Sequence, residues 1–340
     1  MSSKLVKTVG GNSKTVKRKG LSYDMARHIL APMLNPNHPY FTFNDYLKQR
    51  FGTKVYKVSL DAGFDCPNRD GTLAVGGCTY CDEGSRAPGI NPNLSIRDQM
   101  INGMERMKNR YNAKKFIAYF QSFTNTYAHV DVLKERYFAA IDFSDVVGLS
   151  VSTRPDTVSS GTLDLLDEMG AQKDVWLELG LQTMHDKTNE ILNRWHTYAQ
   201  FEKTLLRAKT KKNMKVCVHL ILGLPGETLD QMHQTIDCVA KLPIDGLKLH
   251  TFHVLLNTAL AKEYEKGLIQ VFDEAPYIQL MCDILEKIPP HVVIQRVTGD
   301  AHPQKLIAPR WVLEKARILR RIQAEFQKRK TTQGKYFISS

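Results

Sequence analysis

Residues 66–81 read Cys66-Pro-Asn-Arg-Asp-Gly-Thr-Leu-Ala-Val-Gly-Gly-Cys78-Thr-Tyr-Cys81, three cysteines in a glycine-rich loop. The loop directly follows the apolar, β-branched segment 55–60 (VYKVSL). Thiolates are the ligands of iron-sulfur clusters, and three of them leave one iron of a cubane open to another ligand. Gly76-Gly77 lets the backbone wrap closely around such a group, and Tyr80, between the last two cysteines, can shield it from water. A structural zinc site wants four ligands, usually as two close pairs, and the chain has no second CxxC. Zinc, a four-cysteine electron-transfer cluster and plain core packing are the other readings of the loop. Cys217, Cys238 and Cys282 are isolated and distant, and read as small hydrophobes of the core.

Working outward, short apolar segments recur at 55–60, 116–121, 146–151, 175–182, 215–222, 246–252 and 292–296. Stretches of helical period lie between them, among them 95–111, 159–169, 198–212 and 228–240. Strand and helix alternating in this way signal βαβ units and a parallel sheet, with function expected at the strand C-termini. The cysteines, Gln121-Ser122 and Gly223-Leu-Pro-Gly226 all fall at such ends. The expected fold is α/β, a partial (β/α)6 TIM-like barrel with the 292–296 strand extending it and basic N- and C-terminal extensions. The expected divisions are a disordered basic tail at 1–20, a helical or irregular segment at 21–50 that covers one end, a core at 51–303, and a basic C-terminal helix and tail at 304–340.

The 340 residues carry a net charge of +12, unevenly placed. Residues 1–20 contribute +6 and residues 304–340 contribute +8, which leaves −2 for everything between. Basic ends of this kind suit a polyanion such as RNA, because each neutralised phosphate releases counterions; a solvated, solubilising tail is the plainer reading. No long apolar run suits a membrane span, and residues 4–20 are too polar for a signal peptide, so a cytoplasmic protein without membrane association is expected.

The cysteine loop is similar to the motif of the radical S-adenosyl-L-methionine (SAM) superfamily. It is widened from the usual three residues between the first two cysteines to eleven. Asp61-Ala-Gly-Phe-Asp-Cys66-Pro-Asn-Arg-Asp-Gly-Thr72 and Gly76-Gly-Cys-Thr-Tyr-Cys81 resemble the bacterial YhcC/YtqA family closely, and the elongator catalytic subunit more distantly. The resemblance runs over roughly residues 40–320 by motif order. It implies a 4Fe-4S cluster on Cys66, Cys78 and Cys81, with SAM chelating the open iron and cleaved by one electron to a deoxyadenosyl radical. An electron donor such as flavodoxin or ferredoxin is implied with it. Ser152-Thr-Arg-Pro-Asp156, Glu178-Leu-Gly-Leu-Gln182, Leu192-Asn-Arg194 and His219–Thr228 each resemble a SAM-contacting segment. By that resemblance Gln182 and Arg194 bind the methionyl end, Arg194 against its carboxylate. Ser152 and His219 stand where relatives often carry acidic groups for the ribose, and Gln121-Ser122 replaces the usual Gly-Gly-Glu stretch that meets the amine.

The family also implies a substrate. Its Gram-positive branch is associated with tRNA wobble-uridine maturation, in which the carboxymethyl part of a 5-carboxymethylaminomethyl side chain is removed to leave aminomethyl. Arg154 and Arg296 are candidate cations for that carboxylate, and His250 and His253 are candidate inward-facing groups beside them. Without the family, Gly-Leu-Pro-Gly is a turn before a helix, either histidine can be a satisfied core residue, and Glu178 on an apolar strand must be paired or face a polar site. A radical enzyme acting on a porphyrin or small molecule, and a non-enzymatic iron-sulfur protein that binds RNA or senses redox state, are the rival readings.

Overall fold

A computed structural model describes residues 38–82, 87 and 89–338. The tail expected at 1–20 and residues 21–37 of the next segment lie outside the described residues. Seven parallel strands form one curled half-barrel sheet: β1 (Val55–Leu60), β2 (Lys115–Phe120), β3 (Val146–Thr153), β4 (Asp174–Gln182), β5 (Met214–Leu222), β6 (Gly246–Thr251) and, two steps later in the chain, β8 (Val293–Arg296). Their spatial order is their order in sequence, β1-β2-β3-β4-β5-β6-β8. The crossovers carry α2 (Ile96–Tyr111), α3 (Val130–Ile141), α4 (Ser160–Gly170), α5 (Asp186–Ile191), α6 (Tyr198–Lys209) and α7 (Leu229–Val239). This is the expected partial barrel, with the eighth strand extending a six-strand core.

Local chemistry fixes the helix starts. Ser95 and Ser159 accept from the backbone N–H three residues on, and Thr197 and Thr228 form full capping boxes with Gln200 and Gln231. Alternation along the strands separates two faces. Leu177, Leu179 and Leu181 of β4, Val216, Val218 and Leu220 of β5, and Leu247 and Leu249 of β6 are buried in the main apolar core. The residues between them, including Trp176, Glu178, His219 and Lys248, belong to the opposite, concave face.

The N-terminal ends of the strands are sealed by α1 (Phe43–Phe51). Phe43 and Tyr46 stack at 5.9 Å between ring centres, and each meets Trp176 edge-on, at 5.7 and 5.4 Å. Below them Asp174, wholly buried, accepts from Tyr46 Oη (2.8 Å), Trp176 Nε1 (2.9 Å) and Lys215 Nζ (2.8 Å), and pairs with Arg50 at 3.0 Å. Burial alone would raise this carboxyl; Lys215 and Arg50 outweigh it and hold it below its ordinary value. Cys217 belongs to the same plug with Phe41 and Val293.

Past β6 the chain makes β7 (Val254–Leu255), α8 (Ala259–Glu265), α9 (Glu274–Lys287), β9 (Leu306–Ala308) and α10 (Lys315–Arg329), with β7 and β9 paired antiparallel. The basic helix expected within 304–340 begins at Lys315, because Arg310–Leu313 form a 3-10 turn. Ile318, Ile322 and Phe326 of α10 share one face and are buried in the main core with Met281, Cys282 and Leu285 of α9. Gln333 donates to Pro289 and Val292 carbonyls and accepts from Phe41 N–H, so contacts run across residue 304 without a break. Much of the basic charge here is paired locally: Arg317 and Arg321 with Glu274, Arg329 with Asp283 and Glu325, and Lys315 with Asp300. Among the described residues no helix is long and apolar enough to cross a membrane.

Replacing Asp174 by Ala leaves two cations facing each other in a buried site and frees α1 from the barrel floor. The expected loss is about 3 kcal/mol of stability, seen as a lower midpoint in denaturant unfolding.

Candidate active site

The cysteine loop leaves β1 at its C-terminal end and is folded by its own backbone. Arg69 and Asp70 N–H turn back to the Cys66 carbonyl, Gly77 N–H reaches Asn68 O at 2.8 Å, and Cys81 N–H reaches Cys78 O at 2.9 Å. Gly77 has φ +80°, and a side chain there would lie 3.2 Å from the Arg69 guanidinium. Residues 192–194 clamp the loop from outside. Thr79 N–H donates to Leu192 O at 3.0 Å, and Asn193 Nδ2 donates to the Val75 and Gly77 carbonyls at 3.0 and 2.8 Å.

Two nitrogen donors converge on the Cys78 sulfur, Asn68 Nδ2 at 3.4 Å and Arg194 Nη1 at 3.7 Å. Hydrogen bonds to a cluster's sulfur ligands are among the contacts that tune such a group. Arg194 also donates to Tyr80 Oη (3.0 Å) and to Gly180 O (2.7 Å). It therefore joins the loop to the end of β4. A methyl group on Gly180 would lie 2.7 Å from Arg194 Nη2 and 2.8 Å from Gln182 Nε2, so a side chain there would push the guanidinium and the Gln182 amide aside. Gln182 itself is left-handed, with φ 70°, at a register slip against β5. Asn193, Trp195 and Phe123 share that strained conformation around the loop, a clustering that marks sites of function more often than of packing. Among the described residues no three His, Cys, Asp or Glu side chains gather as a metal-binding group. The fit of Cys66, Cys78 and Cys81 to a cluster rests on their thiol chemistry and on the donors at Cys78.

Deeper along the strands lies a polar layer centred on Glu178, which is wholly buried. One carboxylate oxygen accepts from Lys57 Nζ at 2.8 Å and from Ser150 Oγ; the other accepts from Ser152 Oγ at 2.9 Å and Lys248 Nζ, and meets His219 Nε2 at 2.8 Å. Burial alone would raise Glu178, but Lys248, Lys57 and the His219 hydrogen bond hold it well below the usual carboxylate range. Ser152 and His219, expected at the ribose, are thus oriented by Glu178, whose own oxygens are already engaged. Gln121, expected at the methionyl amine, accepts from Ser59 Oγ at 3.2 Å, and the neighbouring Ser122 is buried with no partner for its hydroxyl among the described residues.

The four residues expected at the substrate divide. His250, His253, Arg296 and Asp300 lie together on the β6–β8 side: the His250 ring is 5.7 Å from that of His219, His253 Nδ1 meets Thr251 O at 3.1 Å, and Arg296 Nη2 is 3.3 Å from Asp300. Burial, with Arg296 and His219 adding, holds His250 well below its ordinary value, and burial lowers His253 as well. Arg154 follows β3 and is bound in two places by Asp156, at 3.0 and 2.8 Å. Sequence reasoning missed Asn68, Lys57 and Lys248. The lysines carried a signal, since each has the inward parity of Ser59 or His250 within an otherwise apolar strand.

Family models match residues 70–239 as the radical SAM superfamily and residues 244–328 as the radical SAM C-terminal domain. The uncharacterized protein YtqA of Bacillus subtilis is 42% identical over 90% of this chain and 95% of its own length. A tRNA uridine(34) acetyltransferase of Dehalococcoides mccartyi is 29% identical over 45% of this chain and 33% of its own. Among solved structures the archaeal Methanocaldococcus infernus Elp3 superposes with a TM-score of 0.62 at 15% identity, covering 82% of this chain and 64% of that one, a likeness of fold.

His219 makes the site acid-sensitive. Burial first, and Lys248 next, depress it to about 4, so the folded state binds fewer protons than the unfolded one below the ordinary histidine value. Stability is therefore expected to fall as pH drops from about 6.5 toward 4, by up to about 3 kcal/mol from this group. Unfolding midpoints followed from pH 7.5 to 5 should show the slope, and His219→Gln should reduce it, leaving the part that His250 and His253 contribute.

Proposed function

The chain belongs to the radical SAM superfamily, and from that premise we propose that it acts on the wobble uridine of tRNA, converting a 5-carboxymethylaminomethyl side chain to 5-aminomethyl. In this reading Cys66, Cys78 and Cys81 hold a 4Fe-4S cluster, and SAM binds above the ends of β4 and β5. Together those groups supply, when bound, one-electron cleavage of the sulfonium to a deoxyadenosyl radical.

The chain's own residues do the rest. Arg194, pinned between Cys78, Tyr80 and Gly180, offers a fixed guanidinium beside the cysteines for the methionyl carboxylate, and Gln182 extends from the same strand end. Glu178 fixes the Ser152 hydroxyl and the His219 imidazole at the strand ends proposed for the ribose, while burial and Lys248, acting against Glu178, keep the imidazole neutral. Tyr80 covers the loop. The observation that carries the reading is the convergence of Asn68 and Arg194 on the Cys78 sulfur, an arrangement suited to a ligating sulfur and unlike that of Cys217 and Cys282, which meet backbone carbonyls, or of half-buried Cys238, which meets the Tyr198 hydroxyl. A wobble-uridine substrate is supported by the relative named for tRNA uridine(34) and by the basic run at 1–20. Flavodoxin or ferredoxin is the proposed reductant.

Two measurements test this. Cys78→Ala, reconstituted anaerobically with iron and sulfide, should lose the brown chromophore and deoxyadenosine formation; a variant that keeps both would remove the cysteine from the ligand set. Mass spectrometry of tRNA nucleosides from a deletion strain should show 5-carboxymethylaminomethyluridine accumulating at the expense of aminomethyl products, and unchanged wobble uridines would refute the tRNA substrate.

A further inference from the structure

Resting on the reading that the substrate bears a carboxymethylaminomethyl group, we propose that Lys57, Lys248, Gln295 and Arg296 form the pocket that receives its carboxylate. Arg154 is not part of it. The layer is rich in donors and poor in acceptors. Both oxygens of Glu178 are taken, each by a lysine and by further donors. Lys248 Nζ has two partners, Glu178 and Tyr119 Oη at 3.2 Å, for three protons. Gln295 accepts from Lys57 through Oε1 at 3.2 Å, while its Nε2 is buried with no partner among the described residues, as is His250 Nε2. Arg296 uses one nitrogen on Asp300.

The charges are unequal as well. Lys57 and Lys248 share the single carboxylate of Glu178, and Arg296 shares Asp300 with Lys315, so the two lysines leave one positive charge in excess beside Glu178, and an unpaired charge in a buried site is costly until an anion joins it. The ammonium of Lys57 is fixed over the Phe43 and Tyr119 rings, 4.9 and 4.4 Å from their centres, which pre-sets the pocket's geometry. The layer can be reached: the Lys57 side chain is 22% and that of Arg296 30% exposed. Arg154, by contrast, stands outside this layer after β3, with its charge already balanced by Asp156.

A carboxylate and a phosphate present the same oxyanion chemistry, so the test separates them. Full-length protein, with and without the reconstituted cluster, is titrated with N-acetylglycine, with N-acetylglycinamide and with inorganic phosphate, read by calorimetry and thermal melting. N-acetylglycine should bind and raise the melting temperature, the amide should not, and phosphate should bind more weakly. Lys57→Met, which leaves Lys248 and Glu178 balanced, and Gln295→Glu, which cancels the excess charge without touching a lysine, should each weaken N-acetylglycine about tenfold or more. With tRNA substrate the same variants should raise KM by a similar factor. Equal binding of the amide, tighter binding of phosphate, or wild-type affinity in whichever variants fold would overturn the pocket. If N-acetylglycine binds as expected but tRNA from the deletion strain is unchanged, the tRNA reading falls and the carboxylate pocket stands; altered tRNA without carboxylate binding has the opposite meaning.

Discussion

A carboxylate buried on the fourth strand of a parallel sheet would cost several kcal/mol if nothing met it, and Glu178 is met on the concave face from strands on both sides of its own. Lys57 comes from β1, Ser150 and Ser152 from β3, His219 from β5 and Lys248 from β6. Satisfying this one group therefore fixes the inward parity of five strands at once, since a slip of one residue in any of them would turn its polar side chain into the apolar core. The concave face cannot be filled with aliphatic layers as the convex face is. It stays polar, and a half-barrel with a polar inner face has room for a ligand.

Alternate residues of β4 run the length of that face and carry a different task at each level. Asp174 and Trp176 anchor α1 at the closed end, Glu178 organises the middle, and Gly180 and Gln182 meet Arg194 at the open end. The stability of the closed end and the reach of the open end are thus set by one strand. Arg194 extends the line into the cysteine loop, so the loop's position is referred to the sheet and does not depend on its own few backbone bonds.

The strands were legible because a parallel strand buried on both faces reads as a continuous apolar run, and the seven runs lie within two residues of the observed elements. The cysteine loop and the strand-end motifs were legible because they are local in sequence. What was not legible is non-local. Lys57 lies 121 residues from Glu178 and Lys248 lies 70 residues from it, and no spacing rule pairs them. The basic helix of the C-terminal segment starts at Lys315, after a 3-10 turn that helical period does not reveal, and the two-residue strand β7 is too short to show a period. The basic charge of the C-terminal segment was read correctly as composition, but composition could not show that Arg317, Arg321 and Arg329 face acidic residues, most of them on α9.

That last point alters how the charge bears on recognition. The net charge between residues 21 and 303 is slightly negative, yet the concave face inside that same stretch holds more cations than anions. Exposed basic runs act over about one Debye length, roughly 10 Å, and weaken as salt is added. A lysine held between two rings and a carboxylate is shielded from that screening and acts only on what enters the barrel. On the proposed reading the two populations divide the work: the outer charges attract a polyanion without distinguishing one from another, and the inner excess distinguishes a side chain that ends in an anion from one that does not.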